Sequence, residues 1–227
     1  MLAITIFVVG HFIAKEAQRR LNIKSEEIYD LIFWTVLGSV IGCRIFFILL
    51  NLPFFIDNPI EIIMIQHGGL AWQGGMIFGL VIFCWYTHFK KWPLLKLADL
   101  VVPFIALGQA IGRWGCFLNG YCYGKDVSWG IYDPQRGIHA HPTQIYLSVG
   151  AFLVFVILKR VSRHQKFEGQ IFALYFILEA LTRFIIEFFR ADHEDIFYSL
   201  SIFQIVCIFL FIGSLYGYTY LQNRRRV

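Results

Sequence analysis

The sequence predicts an all-α integral membrane protein, and three observations support this prediction. First, 58% of the 227 residues are hydrophobic and only 15% are charged, whereas an ordinary soluble domain has about 45–50% and about 25%. Second, seven apolar stretches follow one another along the chain. Third, the basic residues concentrate in every second segment between them. We therefore expect about seven transmembrane helices in a single membrane-embedded domain, residues 1–227.

The apolar stretches differ in length. They lie at residues 2–14, 28–50, 68–87, 97–118, 143–158, 170–189 and 198–221. A bilayer crossing needs about 20 mostly apolar residues, which 28–50 and 198–221 supply outright. Stretch 2–14 is short, and it has neither a basic leader nor a cleavage site, so a signal peptide is a poor interpretation. We expect a first span whose N-terminal part has been cut off.

The basic residues predict the orientation of the chain. Segments 15–27, 88–96, 159–169 and 222–227 contain 14 Lys and Arg, while the alternating segments contain three. Cytoplasmic loops concentrate Lys and Arg, so the first set is expected to face the cytoplasm. We predict an N-terminus outside and a cytoplasmic C-terminus. The net charge of +5 is then explained by basic residues in the segments that face the cytoplasm. We therefore expect no nucleic-acid partner.

Three basic residues lie inside apolar stretches, namely Arg44, Arg113 and Arg183. A guanidinium at membrane depth costs at least about 2.5–3.5 kcal/mol and keeps its charge, so each needs a partner. Arg113 lies in a glycine-rich run, residues 108–124, that contains no acidic residue. This pattern suits an anionic ligand such as a phosphate, which Arg binds through two N–H donors. The alternative is a salt bridge to Asp99 or Glu187.

Arg183 belongs to a charged stripe on the sixth apolar stretch. Steps of four and three residues place Glu179, Arg183, Glu187 and Arg190 on one helix face. The stripe is either a self-paired packing element or part of a site, and we favour a functional role for Arg183. For Arg44, a structural role in which the guanidinium reaches a headgroup is equally open.

Two other segments are rich in glycine or in polar groups. Gly68-Gly69 and Gly74-Gly75 bracket Gln73, and these glycines either expose backbone donors to a ligand or let helices touch. The outer loop, residues 119–142, carries aromatic residues that are typical of any membrane surface. The sequence contains no metal-binding or nucleotide-binding spacing, so we expect neither a metal nor a cofactor.

The sequence resembles the prolipoprotein diacylglyceryl transferase family of bacteria over nearly its whole length. The resemblance rests on the two glycine pairs, on Asp99 followed by Arg113 in Gly-Arg-x-Gly-x-Phe-x-Asn119-Gly120-x-x-x-Gly124, on His141-Pro-x-Gln-x-Tyr146, and on Arg183-x-x-x-Glu187-Phe-Phe-Arg190. The family's topology has the N-terminus outside and the C-terminus inside. That topology agrees with the orientation predicted from charge.

The resemblance implies a transferase of the bacterial cytoplasmic (inner) membrane. Family members transfer the diacylglyceryl group of phosphatidylglycerol to the lipobox cysteine of a prolipoprotein signal peptide. The products are a thioether and glycerol phosphate, in the first step of lipoprotein maturation. On the family pattern Arg113 holds the phosphate, Arg183 acts on the same charge or on the thiol, and Glu187 positions Arg183. The other residues expected to bind substrate are Asn119, Gly120, Gly124, His141, Gly74 and Gly75.

The sequence departs from the family pattern at three places. Gln73 stands where the family commonly has a functional His, Cys116 stands where Asn is usual, and a Tyr-Gly pair is expected upstream of Met1. Gln73 cannot accept a proton at neutral pH, so we expect it in the catalytic site as a hydrogen-bonding residue. The acceptor of the thiol proton is left open among His67, His141, Glu179 and the positive field of two arginines.

Two alternative functions are compatible with the same residues. A divergent paralogue would bind an anionic phospholipid with altered or lost transferase activity, which would explain Gln73. A transporter of an anionic solute would explain intramembrane arginines, but the two halves of the sequence show no inverted repeat.

Overall fold

The computed structural model describes residues 2–64, 68–120, 123–133, 136–191 and 201–224. His67 and the end of segment 222–227, which entered the predictions above, lie outside the described residues. In the described parts, each of the seven apolar stretches contains most of a long helix. In chain order the helices are α1 (Leu2–Leu21), α2 (Ser25–Leu50), the short α3 (Leu52–Asp57), α4 (Trp72–Phe89), α5 (Leu94–Leu118), α6 (Thr143–Val161), α7 (Gln170–Glu187) and α8 (Ile202–Arg224).

Four of the described helices are long and apolar enough to cross a membrane, namely α2, α5, α6 with its 3-10 extension to His164, and α8. The second half of α1 is charged, and α7 contains Glu179, Arg183 and Glu187. Helix α8 buries little of its surface and exposes large apolar side chains, with Phe209 72% exposed. Lipid is the natural solvent for such a face. The structure therefore confirms a mainly helical membrane protein.

The chain divides into two compact units, Ala14–Leu94 and Met1–Ile13 with Leu95–Val227. We call them the 14–94 unit and the 95–227 unit. In the 14–94 unit, α2 and α4 pack closely because glycines face each other. A Cβ atom at Gly74 would overlap the Gly42 carbonyl oxygen, and one at Gly79 would overlap the Ser39 hydroxyl. Small residues of this kind let two helix backbones approach.

The core of the 95–227 unit lies between α5, α6 and α7. Its buried residues are Val102, Ala106, Val154, Leu158, Ile171 and Tyr175. Asp99, which is buried in α5, fixes the start of α7 by accepting hydrogen bonds from the backbone N–H groups of Gly169 (2.5 Å) and Phe172 (2.8 Å). A carboxylate at this position satisfies amides that have no partner inside the helix and complements the helix dipole.

The loop between α5 and α6 contains an antiparallel hairpin. Strand β1 (Asp126–Asp133) pairs with β2 (Ile138–Ala140), with an irregularity in register between Asp126 and Ile131. Arg136 closes the turn through Asp133 (2.6 Å) and donates to the Gly124 carbonyl (2.9 Å). The predicted all-α fold is therefore found as a mostly helical one that also contains this short hairpin. A short hairpin rich in aromatic residues leaves no clear alternation of polar and apolar residues by which to recognise it.

Candidate active site

A small cleft in the 95–227 unit brings together two of the three intramembrane arginines. Arg113 of α5 and Arg183 of α7 both line it, together with Gln109, Glu179 and Thr182. Leu147 and Ala151 of α6 complete the lining. The two arginines are 70 residues apart in sequence, so packing of three helices creates this positive site. Two guanidiniums at one cleft suit a phosphate or another anion.

The acidic partner of Arg183 is Glu179, one helical turn earlier on α7. Arg183 Nε lies 3.4 Å from Glu179 Oε1, and the Arg183 side chain remains 35% exposed. The family pattern implied that Glu187 positions Arg183. In the structure the acidic partner of Arg183 is Glu179 instead. Because the contact involves Nε at the edge of hydrogen-bonding distance, it leaves donors of the guanidinium fork for a ligand.

Glu187 lies further along α7 and is buried. Its carboxylate accepts a hydrogen bond from the Ser201 hydroxyl (3.2 Å), and Arg190 Nε lies 3.7 Å from its other oxygen. The charged stripe thus divides into two ion pairs, Glu179 with Arg183 and Glu187 with Arg190. The self-paired interpretation fits the second pair well, and the first pair faces the cleft.

The two acids considered as structural partners of Arg113 each make contacts with other residues. Asp99 binds the first turn of α7, and Glu187 binds Ser201 and Arg190. On the same helix, Gly108 receives side chains of α1, since a Cβ atom there would lie 3.5 Å from Thr5 and Val9 methyl carbons. A Cβ atom at Gly112 would meet no described atom within 4 Å. The glycine-rich run thus serves helix packing at Gly108, whereas no described atom packs closely against Gly112.

Gly124 and His141 meet near the end of α7. The Gly124 N–H donates to the His141 carbonyl (2.8 Å), and Lys125 N–H donates to the Phe189 carbonyl (2.8 Å). A Cβ atom at Gly124 would lie 2.7 Å from the His141 Cβ and would overlap the Phe189 carbonyl. Close backbone packing therefore requires glycine here, and Gly124 acts by positioning two chain segments.

The His141 ring is enclosed by aromatic side chains. Ring centres of Trp129, Phe189 and Tyr146 lie 4.9, 5.2 and 6.0 Å from its own. Its Nδ1 lies 3.2 Å from the Tyr146 hydroxyl oxygen. His141 thus joins the hairpin, the start of α6 and the end of α7.

Asn119 and Gly120 end helix α5. The Asn119 side-chain amide donates to the Gly115 carbonyl (2.7 Å), and Gly120 adopts φ = 72°. That conformation is the left-handed one in which glycine commonly follows a helix. Both residues shape the end of the helix that carries Arg113.

The remaining predicted residues lie in the 14–94 unit. Gln73 is exposed in the first turn of α4. Gly74 and Gly75 are buried against α2, where a Cβ atom at Gly75 would lie 2.5 Å from the Cys43 sulfur. Of the two interpretations of this glycine run, the contacts support helix packing for Gly74 and Gly75 and do not show them exposed to a ligand.

Arg44 has a structural environment made of backbone carbonyls. It is buried, and its guanidinium donates to the carbonyls of Glu61, Ile62, Met64, Gly68 and Gly69. The rings of Phe47 and Phe55 lie 6.0 and 5.3 Å from its central carbon. Arg44 therefore fixes the segment that leads into α4, a structural contact with backbone in place of the headgroup contact considered from the sequence.

Gln109 is a cleft residue that the sequence analysis missed. Its side-chain oxygen is buried, and within the described residues it has no hydrogen-bond partner. A signal was present, because Gln109 lies four residues before Arg113 and so shares its helix face.

Comparison with known proteins agrees with the resemblance seen in the sequence. The family model described as prolipoprotein diacylglyceryl transferase matches residues 1–220. A phosphatidylglycerol–prolipoprotein diacylglyceryl transferase of Finegoldia magna is 37% identical over 211 residues, covering 91% of this chain and 84% of the relative. Relatives of the same name from Clostridium tetani and Staphylococcus haemolyticus are each 32% identical, covering 100% and 92% of this chain and 93% and 78% of the relatives. The chain therefore belongs to the prolipoprotein diacylglyceryl transferase family.

Proposed function

We propose that the protein transfers the diacylglyceryl group of phosphatidylglycerol to the lipobox cysteine of a prolipoprotein signal peptide. The observation that carries the proposal is the shared cleft of Arg113 and Arg183 in a chain that belongs to this transferase family. In the reaction a carbon–sulfur bond forms at the glycerol carbon. The bond from that carbon to the phosphate oxygen breaks, and glycerol phosphate leaves with the electron pair.

Arg113 and Arg183 bind the phosphate in this proposal. Negative charge grows on the phosphate as the carbon–oxygen bond breaks, so cations at the cleft stabilise the transition state more than the ground state. The same positive field favours the cysteine thiolate, which is a minor species at neutral pH.

Glu179 is the proton acceptor that the cleft supports best. It lines the cleft beside Arg183, whereas His141 lies among aromatic rings at the hairpin. We propose that the Glu179 carboxylate takes the thiol proton as sulfur attacks. Gln73 then needs no role as a base, in keeping with the chemistry of an amide.

The finer membrane arrangement also belongs to this proposal. We propose seven spans with the N-terminus outside and the C-terminus in the cytoplasm, acting as one transferase domain in the inner membrane. The long helices over all seven apolar stretches and the alternation of basic segments support this arrangement.

An assay with purified protein tests the activity. The protein is placed in vesicles that contain phosphatidylglycerol, and a lipobox peptide is added. Wild type should add one diacylglyceryl unit to the cysteine, seen by mass spectrometry. Arg113→Ala should lower the rate at least about 100-fold, as is usual on removing a charge-stabilising donor.

Arg160→Ala is the matched control, because Arg160 is an exposed arginine at the end of α6. It should retain wild-type activity. Headgroup release without a modified peptide would contradict the proposal in favour of the paralogue. Uptake of a labelled anion without covalent change would contradict it in favour of a transporter.

A further inference from the structure

Among the described residues, the cleft includes a buried side-chain acceptor that has no hydrogen-bond partner. Gln109 Oε1 is buried, and no described residue donates to it. The Tyr175 hydroxyl of α7 lies near the same side chain. Leaving a buried acceptor unsatisfied is unfavourable, because the group loses its hydrogen bonds to water and gains none in return. Buried polar groups of this kind are therefore good candidates for ligand contacts.

The position of Gln109 relative to Arg113 indicates which ligand group could reach it. Residues four apart on a helix have Cβ atoms about 5–6 Å apart on the same face. Gln109 and Arg113 line the same cleft, so a group covalently attached to a phosphate at Arg113 can extend to Gln109. A carbonyl oxygen needs a hydrogen-bond donor. In phosphatidylglycerol, the donors nearest the phosphate are the two hydroxyls of the headgroup glycerol.

We propose that Gln109 Oε1 accepts a hydrogen bond from a headgroup hydroxyl of the phospholipid, and that this contact selects lipids whose headgroup carries a hydroxyl. The inference rests on the proposed function, because it places the phosphate of the donor lipid at Arg113. Sites that hydrogen-bond a substrate hydroxyl discriminate strongly against analogues without it, because a buried polar group is then left unpaired.

The test compares two lipids and three proteins. Vesicles contain either phosphatidylglycerol or phosphatidylpropanol with the same acyl chains, the latter having a three-carbon headgroup without hydroxyls. The proteins are wild type, Gln109→Met and Gln170→Met. Gln170 is the matched control because it is a buried glutamine whose amide donates to a tyrosine hydroxyl, that of Tyr218 (3.2 Å), at the other end of α7.

The expected result is a selective loss. Wild type should use phosphatidylglycerol about tenfold better in kcat/KM than phosphatidylpropanol, as one hydrogen bond in a buried site allows. Gln109→Met should lose about that factor with phosphatidylglycerol and change little with phosphatidylpropanol, so that the preference disappears. Gln170→Met should keep the wild-type preference. A purely structural role of Gln109 would lower both rates together.

Two outcomes would overturn the inference. One is a wild-type preference that survives in Gln109→Met, and the other is an equal loss with both lipids. If Gln109→Met does not fold, Gln109→Asn, which withdraws the carbonyl by one methylene group, should show the same selective loss. Retention of each lipid by the purified proteins, measured by mass spectrometry, tests the contact even if wild type transfers nothing. Absence of all transfer would count against the proposed function, and an unchanged retention ratio would count against the Gln109 contact.

Discussion

The three intramembrane arginines meet the cost of burial in different ways. Arg44 donates only to backbone carbonyls among the described residues, Arg183 pairs with Glu179, and Arg113 lines the cleft with Arg183. The sequence predicted that each needed a partner. It could predict Glu179 for Arg183, since helix spacing places them together. It could not predict the partners of Arg44, because carbonyl groups are present in every residue and their direction depends on the folded chain.

Arg44→Lys should destabilise the protein although it keeps the charge. A lysine ammonium has three donors on a flexible stem and cannot reproduce the fork that serves several carbonyls at once. We expect a loss of about 2–3 kcal/mol in the free energy of unfolding, measured by chemical unfolding in detergent micelles.

Arg19→Lys supplies the comparison for that substitution. Arg19 is exposed near the end of α1, and its replacement should change the stability by less than about 0.5 kcal/mol. Equal effects of the two substitutions would show that the contacts of Arg44 add nothing to stability.

At the scale of elements, the α2–α4 pair explains why the glycine-rich segment was ambiguous in sequence. A glycine pair that exposes its backbone to a ligand and a glycine pair that lets two helices touch are identical in sequence. Gly74 and Gly75 are buried against α2, whereas Gly68 and Gly69 adopt φ of 86° and 81° and present their carbonyls to Arg44. The difference arises from where α4 begins, which pattern alone does not determine.

Gly74→Ala should disrupt the α2–α4 contact. The new methyl group would overlap the Gly42 carbonyl oxygen, so the two helices must move apart. Overpacking of this kind costs about 1–3 kcal/mol, visible as a lower midpoint of thermal unfolding in detergent.

The matched substitution for Gly74→Ala is Gly213→Ala in α8. A Cβ atom at Gly213 would meet no atom of the described residues within 4 Å, so alanine should leave stability unchanged or raise it by up to about 1 kcal/mol through helix propensity. A neutral Gly74→Ala would mean that the close α2–α4 approach is not required.

Asp99→Ala should weaken the start of α7. The substitution leaves the amides of Gly169 and Phe172 without their acceptor in a buried position. We expect a loss of about 2–4 kcal/mol in the free energy of unfolding. A helix cap and a hydrogen bond to a charged group each contribute about 1–3 kcal/mol. Asp126→Ala removes an exposed carboxylate in an ion pair of 3.6 Å with Arg136 and should cost less than about 1 kcal/mol. Similar losses for both aspartates would argue against the capping role.

For the whole molecule, apolar length was the reliable signal. Each predicted stretch contains a helix, yet α1 continues beyond its stretch through the charged residues up to Leu21. Hydropathy identifies the residues that can lie in lipid. It does not show where a helix ends, because the backbone hydrogen bonds of a helix can continue beyond the apolar residues into a segment that faces water. The pairing of Arg113 with Arg183 in one cleft also required the three-dimensional packing of α5, α6 and α7. Sequence could name both residues without showing that they meet.

Reporter fusions test the predicted orientation. Green fluorescent protein fused after residue 227 should fluoresce, because it folds in the cytoplasm. Alkaline phosphatase fused after Gly137, in the turn of the hairpin, should be active, because it needs the outer compartment. The charge alternation predicts this pair of results. A C-terminal fusion that does not fluoresce, together with an inactive hairpin fusion, would indicate the opposite orientation in the membrane.

The hydrogen bonds from Arg44 to backbone carbonyls limit how the sequence of this segment can vary within the family. Its guanidinium binds main-chain oxygens of residues 61, 62 and 64, so a change of side chain at these positions should leave those contacts with Arg44 in place. Removal or addition of a single residue would carry those oxygens out of reach. Natural variation in this segment should therefore be broad in chemistry and narrow in length.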